Sequence, residues 1–181
     1  MQATDNGNRK RKIGMTGTIL HTVGYGLWPT ATRAQSLIDA LKAHHVQVLV
    51  DIRHSPCASD LNPASTGPYR MQSWHLQPGQ NGILSLMAKE GIEYVWLVEL
   101  GNPQKRDPAM AIFREHLQSR AGHWPAERGL NLLRQLVQEG QKVCCLMCAC
   151  SDVEGCHRKV VAEEFRDRFS SPSAPIDIHH L

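Results

Sequence analysis

Short apolar runs alternate with segments of helical spacing along most of this chain, and that alternation constrains the fold more than any other feature. Residues 18–23 are β-branched and apolar and read as a first strand. Thr30 stands as the N-cap of a helix over 31–44, with Leu37, Ile38 and Leu41 on one face. Residues 46–52 and 92–98 read as further strands. Residues 83–90 read as a helix stopped by Gly91, and 109–118 and 128–139 as two more, the second stopped by Gly140. A fourth strand at 143–147 leads toward a helix over 160–169, and 176–181 reads as an edge strand. Strands separated by helices require crossover connections, which join parallel strands. The expected fold is α/β: a single domain with a mainly parallel sheet flanked by helices, a Rossmann-like three-layer sandwich.

The 181 residues are enough for one domain with a proper core. Residues 1–14 read as a disordered basic leader, and 15–181 as the single α/β domain. The leader holds the run Arg9-Lys10-Arg11-Lys12, which is either a solvated terminus or a phosphate-binding arm. No long apolar segment follows it, so no secretory signal is expected. No apolar run reaches the ~20 residues needed to cross a bilayer, so no membrane partner is expected either. Cytoplasm is the default location, and there thiols stay reduced. The net charge of +3 permits an anionic partner without demanding one.

Cysteine placement is the chemical signal. Five of the six cysteines, Cys144, Cys145, Cys148, Cys150 and Cys156, lie within thirteen residues, with His157 and Arg158 directly behind. The cluster spans the carboxyl end of a strand and the entry to a helix, where open α/β sheets place ligands. Cys144 and Cys145 read as small buried hydrophobes. Cys148 reads as a nucleophile, because helix-terminal amides and Arg158 would lower its pKa. His157 is placed to exchange a proton near neutral pH. Cys150 and Cys156 are resolving thiols or metal ligands. No cofactor is required by this reading. Its alternative is zinc or iron held by Cys148, Cys150, Cys156 and His157, since C-x-C-x5-C-H supplies four donors. Cys57 stands alone.

Two further strand ends carry charge. Asp51 and Arg53 lie two apart, hence on one face, and either pair structurally or bind substrate. Glu99 follows the third strand and is a candidate general base or a turn-forming acceptor. Arg158 is an anion-binding group or a surface ion-pair partner of Glu163 or Asp51. Residues 54–82 are rich in Pro and Gly and read as a flap, with Trp74 and His75 as substrate contacts. His179 and His180 reach the site if the last strand lies beside the cysteine strand.

These motifs occur in a recognisable order: Asp51-Ile52-Arg53, Gly91-Ile92-Glu93-Tyr94, Glu99-Leu100-Gly101, Leu146-Met147-Cys148-Ala149, Cys156-His157-Arg158 and Ile178-His179. Together they resemble the bacterial "domain of unknown function 488" family from about Thr18 to His179. That family pattern has an acidic residue after its Cys-Ala pair, where this chain has Cys150. It opens with Gly-His-Ser, where this chain has Gly24-Tyr25-Gly26. A weaker similarity is to sulfurtransferases of the rhodanese type, which would imply a sulfur-carrying cysteine in a cradle of amides.

Two functions follow. One is an enzyme acting on an anionic substrate, a nucleotide, nucleic acid or sulfur compound. In it Asp51, Arg53 and Arg158 bind substrate and Cys148, Glu99 and His157 do the chemistry. The other is a non-catalytic cysteine-rich module that binds metal or nucleic acid.

Overall fold

The computed structural model describes residues 17–29, 31–54, 83–103, 107, 109–119 and 124–181, with only the backbone at Trp124. The basic leader, Cys57, Thr30 and the proposed flap with Trp74 and His75 lie outside them.

The strands are β1 (Thr18–Gly24), β2 (Val48–Asp51), β3 (Glu93–Trp96), β4 (Cys144–Cys148) and β5 (Ile176–His180). The helices are α1 (Arg33–Ala43), α2 (Ile83–Lys89), α3 (Ala111–Gln118), α4 (Trp124–Arg134) and α5 (His157–Phe169), and α4 runs on into π-turns at Gln135–Glu139. The strands form one sheet in the order β3-β2-β4-β1-β5, and every pairing is parallel. The α/β expectation holds.

Alternation along β4 explains the layers. Successive strand residues face opposite sides of a sheet. Cys145 and Met147 join Leu49 and Val23 beneath α1 and α2, against Leu37, Leu41, Ile83 and Met87. Cys144 and Leu146 join Leu20, Val48 and Val50 beneath α3, α4 and α5, against Leu117, Leu130, Leu133 and Phe165. A strand covered on both sides reads as an unbroken apolar run, as residues 143–147 do.

Several boundaries differ from expectation. The last helix begins at His157 rather than residue 160, because Cys156 is already extended and ends the loop as its N-cap. That places His157 and Arg158 in the first turn. Helix α4 starts at Trp124, with Pro125 in its first turn, where a missing N–H costs little. Helix α3 is capped by Asp107, whose carboxylate accepts from the amides of Ala111, Ile112 and Phe113. Strand β5 pairs with β1, so β1 separates it from the cysteine strand. The expectation that His179 or His180 reaches the cysteines is therefore overturned. His179 packs its ring on His21, and His180 Nδ1 pairs with Thr22 Oγ1 at 2.7 Å.

The chain leaves β1 toward α1 on one face and leaves β4 toward α5 on the other. Their adjacent carboxyl ends thus form a topological switch point, where crevices open in this fold class. Cys148 lies there, in register with Gly24.

Gly91 turns the chain out of α2 at φ +71°, and a Cβ there would meet nothing within 4 Å. Gly91→Ala therefore isolates the backbone cost. It should lower unfolding free energy by roughly 1–2 kcal/mol without altering the sheet, as read by urea unfolding.

Candidate metal centre and its surroundings

Strand β4 ends at Cys148, and the chain loops out through Cys150 before Cys156 returns it to α5. The loop folds three sulfurs together. Cys156 donates to Cys148 at 3.2 Å, and Cys148 donates to Cys150 at 3.6 Å. The three sulfurs lie within 4.8 Å of one another, close enough to hold a metal ion. Cys148 and Cys156 are buried and Cys150 is exposed.

His157 lies against two of these sulfurs. Its Nε2 lies 2.9 Å from the Ile52 carbonyl oxygen. A carbonyl only accepts, so Nε2 carries a proton and, in the neutral ring, Nδ1 keeps a lone pair. Nδ1 lies 3.6 Å from Cys148 Sγ and 4.0 Å from Cys156 Sγ. Phe113 braces the ring edge-on at a centroid distance of 5.9 Å. Cys156 is extended while His157 opens α5, and the two side chains approach to 4.0 Å.

Thiol ionisation departs from expectation. Burial pushes Cys144 up to about 12 and raises Cys145 as well, and both are fully buried, as their place inside the strand implies. Cys148 is raised, through its hydrogen bond with Cys150 first and burial after it. The lowered thiol is Cys150, which accepts from Cys148 and Cys156 and feels the positive charge of His157 and Arg158. Cys148 is 2% exposed, and its proton serves the outer sulfur. Burial opposes charge on His157, but its hydrogen bonds to Cys156 and the Ile52 carbonyl leave its pKa raised.

Arg158 lies under this loop, 3% exposed. Nη1 donates to the Cys150 carbonyl at 3.0 Å and Nη2 approaches that of Ser151 at 3.4 Å. It pairs with neither Glu163 nor Asp51, which are held by Arg114 and Arg53. Gly24 makes room for it. A Cβ there would stand 1.8 Å from the Cys150 carbonyl oxygen and 2.4 Å from Arg158 Nη1.

Asp51 and Arg53 close on each other. Arg53 Nε and Nη2 donate to the Asp51 carboxylate at 2.9 and 2.5 Å, and the Arg53 amide adds a bond at 2.9 Å. Tyr94 donates its hydroxyl to the same carboxylate at 2.6 Å, and Arg53 Nη1 donates to the Tyr25 hydroxyl at 3.2 Å. By alternation Asp51 faces α1 and α2 with Leu49, whereas Cys148 faces α5 with Leu146. The pair and the thiols thus share the carboxyl edge but lie on opposite faces of the sheet. Tyr25 and Tyr94 were missed from the sequence. Their only local signal was a tyrosine beside a glycine turn and another within an apolar strand.

Glu99 sits in a short 3-10 turn after β3 and pairs with Arg128. It lines a separate cleft of about 200 Å³ with His54, Phe113 and His116. Phe113 stands between this cleft and His157.

Residues 80–165 match the family model described as "Domain of unknown function DUF488". Over that stretch, about half its length, the chain belongs to the DUF488 family. The DUF488 segment carries β3, Glu99, β4, the thiol loop and most of α5, but neither Asp51 nor Arg53. The family likeness is thus narrower than residues 18–179. No curated protein and no solved structure matches the chain, and nothing in these comparisons supports the rhodanese-type similarity. No helix among the described residues is long and apolar enough to cross a membrane.

Burial raises both Tyr25 and Tyr94, the latter also through Asp51. An unfolded phenol ionises near pH 10, so above that pH the unfolded chain has lost protons that the native chain keeps. Stability should therefore fall as pH rises beyond about 10. Tyr94→Phe should cost about 1–3 kcal/mol at pH 8, by leaving the buried carboxylate a donor short, and should flatten the alkaline decline. Urea midpoints between pH 8 and 11 on both proteins measure this.

Proposed function

We propose that Cys148, Cys150, Cys156 and His157 form a Cys3His centre for one divalent ion of the zinc class, and that the chain works as a metal-stapled α/β module. The observation that carries this reading is the gathering of three sulfurs within 4.8 Å of one another, with His157 Nδ1 against two of them. In a tetrahedral zinc site, Zn–S bonds of about 2.3 Å and Zn–N bonds of about 2.0 Å put donors roughly 3.5–3.8 Å apart. The separations here are 3.2 and 3.6 Å between sulfurs, and 3.6 and 4.0 Å from sulfur to Nδ1. The bond from His157 Nε2 to the Ile52 carbonyl is the kind of outer contact that fixes the tautomer of a ligating histidine. A compact set of this kind fits one ion rather than an iron–sulfur cluster.

Four protein donors close the coordination shell, which is the pattern of a structural ion. The ion would join the end of β4, the loop and the start of α5, and through Ile52 the end of β2. Metal binding would then contribute directly to folding.

The competing reading is thiol chemistry on an anionic substrate. It is favoured by one observation, the exposure and lowered pKa of Cys150. In that reading Cys150 rather than Cys148 attacks, and Glu99 serves the neighbouring cleft.

Elemental analysis and alkylation at neutral pH separate the two. The metal reading expects one zinc per chain, a cobalt-loaded form with tetrahedral absorption bands, and slow alkylation until a chelator is added. The chelator should lower the melting temperature, and Cys156→Ser should lose the metal. Metal-free protein whose Cys150 alkylates at once, with a chelator-insensitive melting temperature, would overturn it.

A further inference from the structure

We infer that Arg158 is the counter-ion of this centre: its buried guanidinium offsets the single negative charge that three thiolates and a neutral imidazole leave on a divalent ion. The inference rests on the metal reading above and names the residue that makes that charge tolerable inside the fold.

Arg158 is 3% exposed, and its guanidinium donates to two backbone carbonyls. Among the described residues its Nε is buried with no partner. The nearby carboxylates are committed elsewhere: Asp51 to Arg53, Glu163 to Arg114 and Glu154 to Lys159. A buried charge without an opposite charge is strongly destabilising, so such groups persist where a counter-charge exists. Three thiolates around a divalent ion supply one unit of negative charge, and Arg158 follows His157 directly. Its bond to the carbonyl of Cys150 places the cation against the peptide of a ligand. Gly24 keeps that position open, since a methyl group there would strike both Nη1 and the carbonyl.

A counter-ion acts differently from a loop tie. A tie would lower affinity for any metal by loosening Cys150. A counter-ion also shifts the balance between oxidation states, because it favours the more negative centre. An iron-loaded form would therefore have its Fe(III)/Fe(II) potential held up by Arg158.

The test uses Arg158→Gln, which keeps donors for the carbonyls and removes the charge, beside Arg158→Lys, which keeps the charge and removes the fork. Cobalt and zinc affinities are read by competition with a chromophoric chelator, and the potential is read on the iron-loaded proteins. The Gln variant should bind about 10–100-fold more weakly and have a more negative potential. The Lys variant should recover most of both. Equal affinity and potential in wild type and Gln variant would overturn the inference. So would a Lys variant that fails as badly as Gln, which would leave only a loop tie. If the Gln variant does not fold, the Lys variant decides alone: wild-type potential supports the counter-ion, and a potential lowered with the affinity sinks it. Failure of the underlying reading looks different, since wild-type protein would then bind no cobalt or Cys156→Ser would bind it equally well.

Discussion

Strand β4 is hydrogen-bonded to β1 on one side and β2 on the other, and the rest of the structure follows from that position. It is covered on both faces, so all five of its residues are buried, two of them cysteines serving as small apolar fillers. Its register fixes Cys148 beside Gly24. The only route out of such a strand is over its carboxyl edge. The loop through Cys150 takes that route and returns at Cys156. Sulfur is thereby gathered at the switch point by pairing geometry before any ion is considered.

Polar groups at this edge are arranged as two separate charge systems. On the α1 and α2 face, Asp51 is fully buried and satisfied by Arg53 and Tyr94. That network spends its charges internally. On the α5 face, Arg158 has carbonyls but no carboxylate among the described residues, and one of those carbonyls belongs to Cys150. A low-dielectric edge does not hold an isolated guanidinium cheaply. The asymmetry between the two faces is what directs attention to the thiols as the anionic partner. At the end of β1 only glycine fits at Gly24, because a Cβ there would strike the Cys150 carbonyl and the Arg158 guanidinium.

Much of the fold was legible because local signals and tertiary outcome agree. Leu37, Ile38 and Leu41 mark one face of α1 and are its buried residues. Gly91 stops α2 as expected. The cysteine cluster sits at the carboxyl end of β4 and the entry to α5, as its place after an apolar run implies. What failed did so for a common reason. Parallel strand order is not written in any local segment, so β5 was free on paper to lie beside β4, whereas it pairs with β1. Helix α5 began early because Cys156, which has no side-chain cap bond, nevertheless ends the loop in an extended conformation. The ranking of thiol acidity also failed. Burial and the hydrogen bond it donates raise Cys148, whereas the bonds Cys150 accepts lower that outer thiol.

The order of apolar runs and helical spacings, the residue types of the thiol loop and the occurrence of Cys150 where the family pattern has an acid were determined by the sequence alone. They set the fold class and the available donors, because strand and helix periods and donor chemistry are properties of short segments. Tertiary structure decided which donors meet. The contact of His157 with Ile52 crosses 105 residues, and the contact of Gly24 with Arg158 depends on strand order. Distances between segments are set by pairing register and by burial on both faces of the sheet, and neither quantity exists until the strands are assembled.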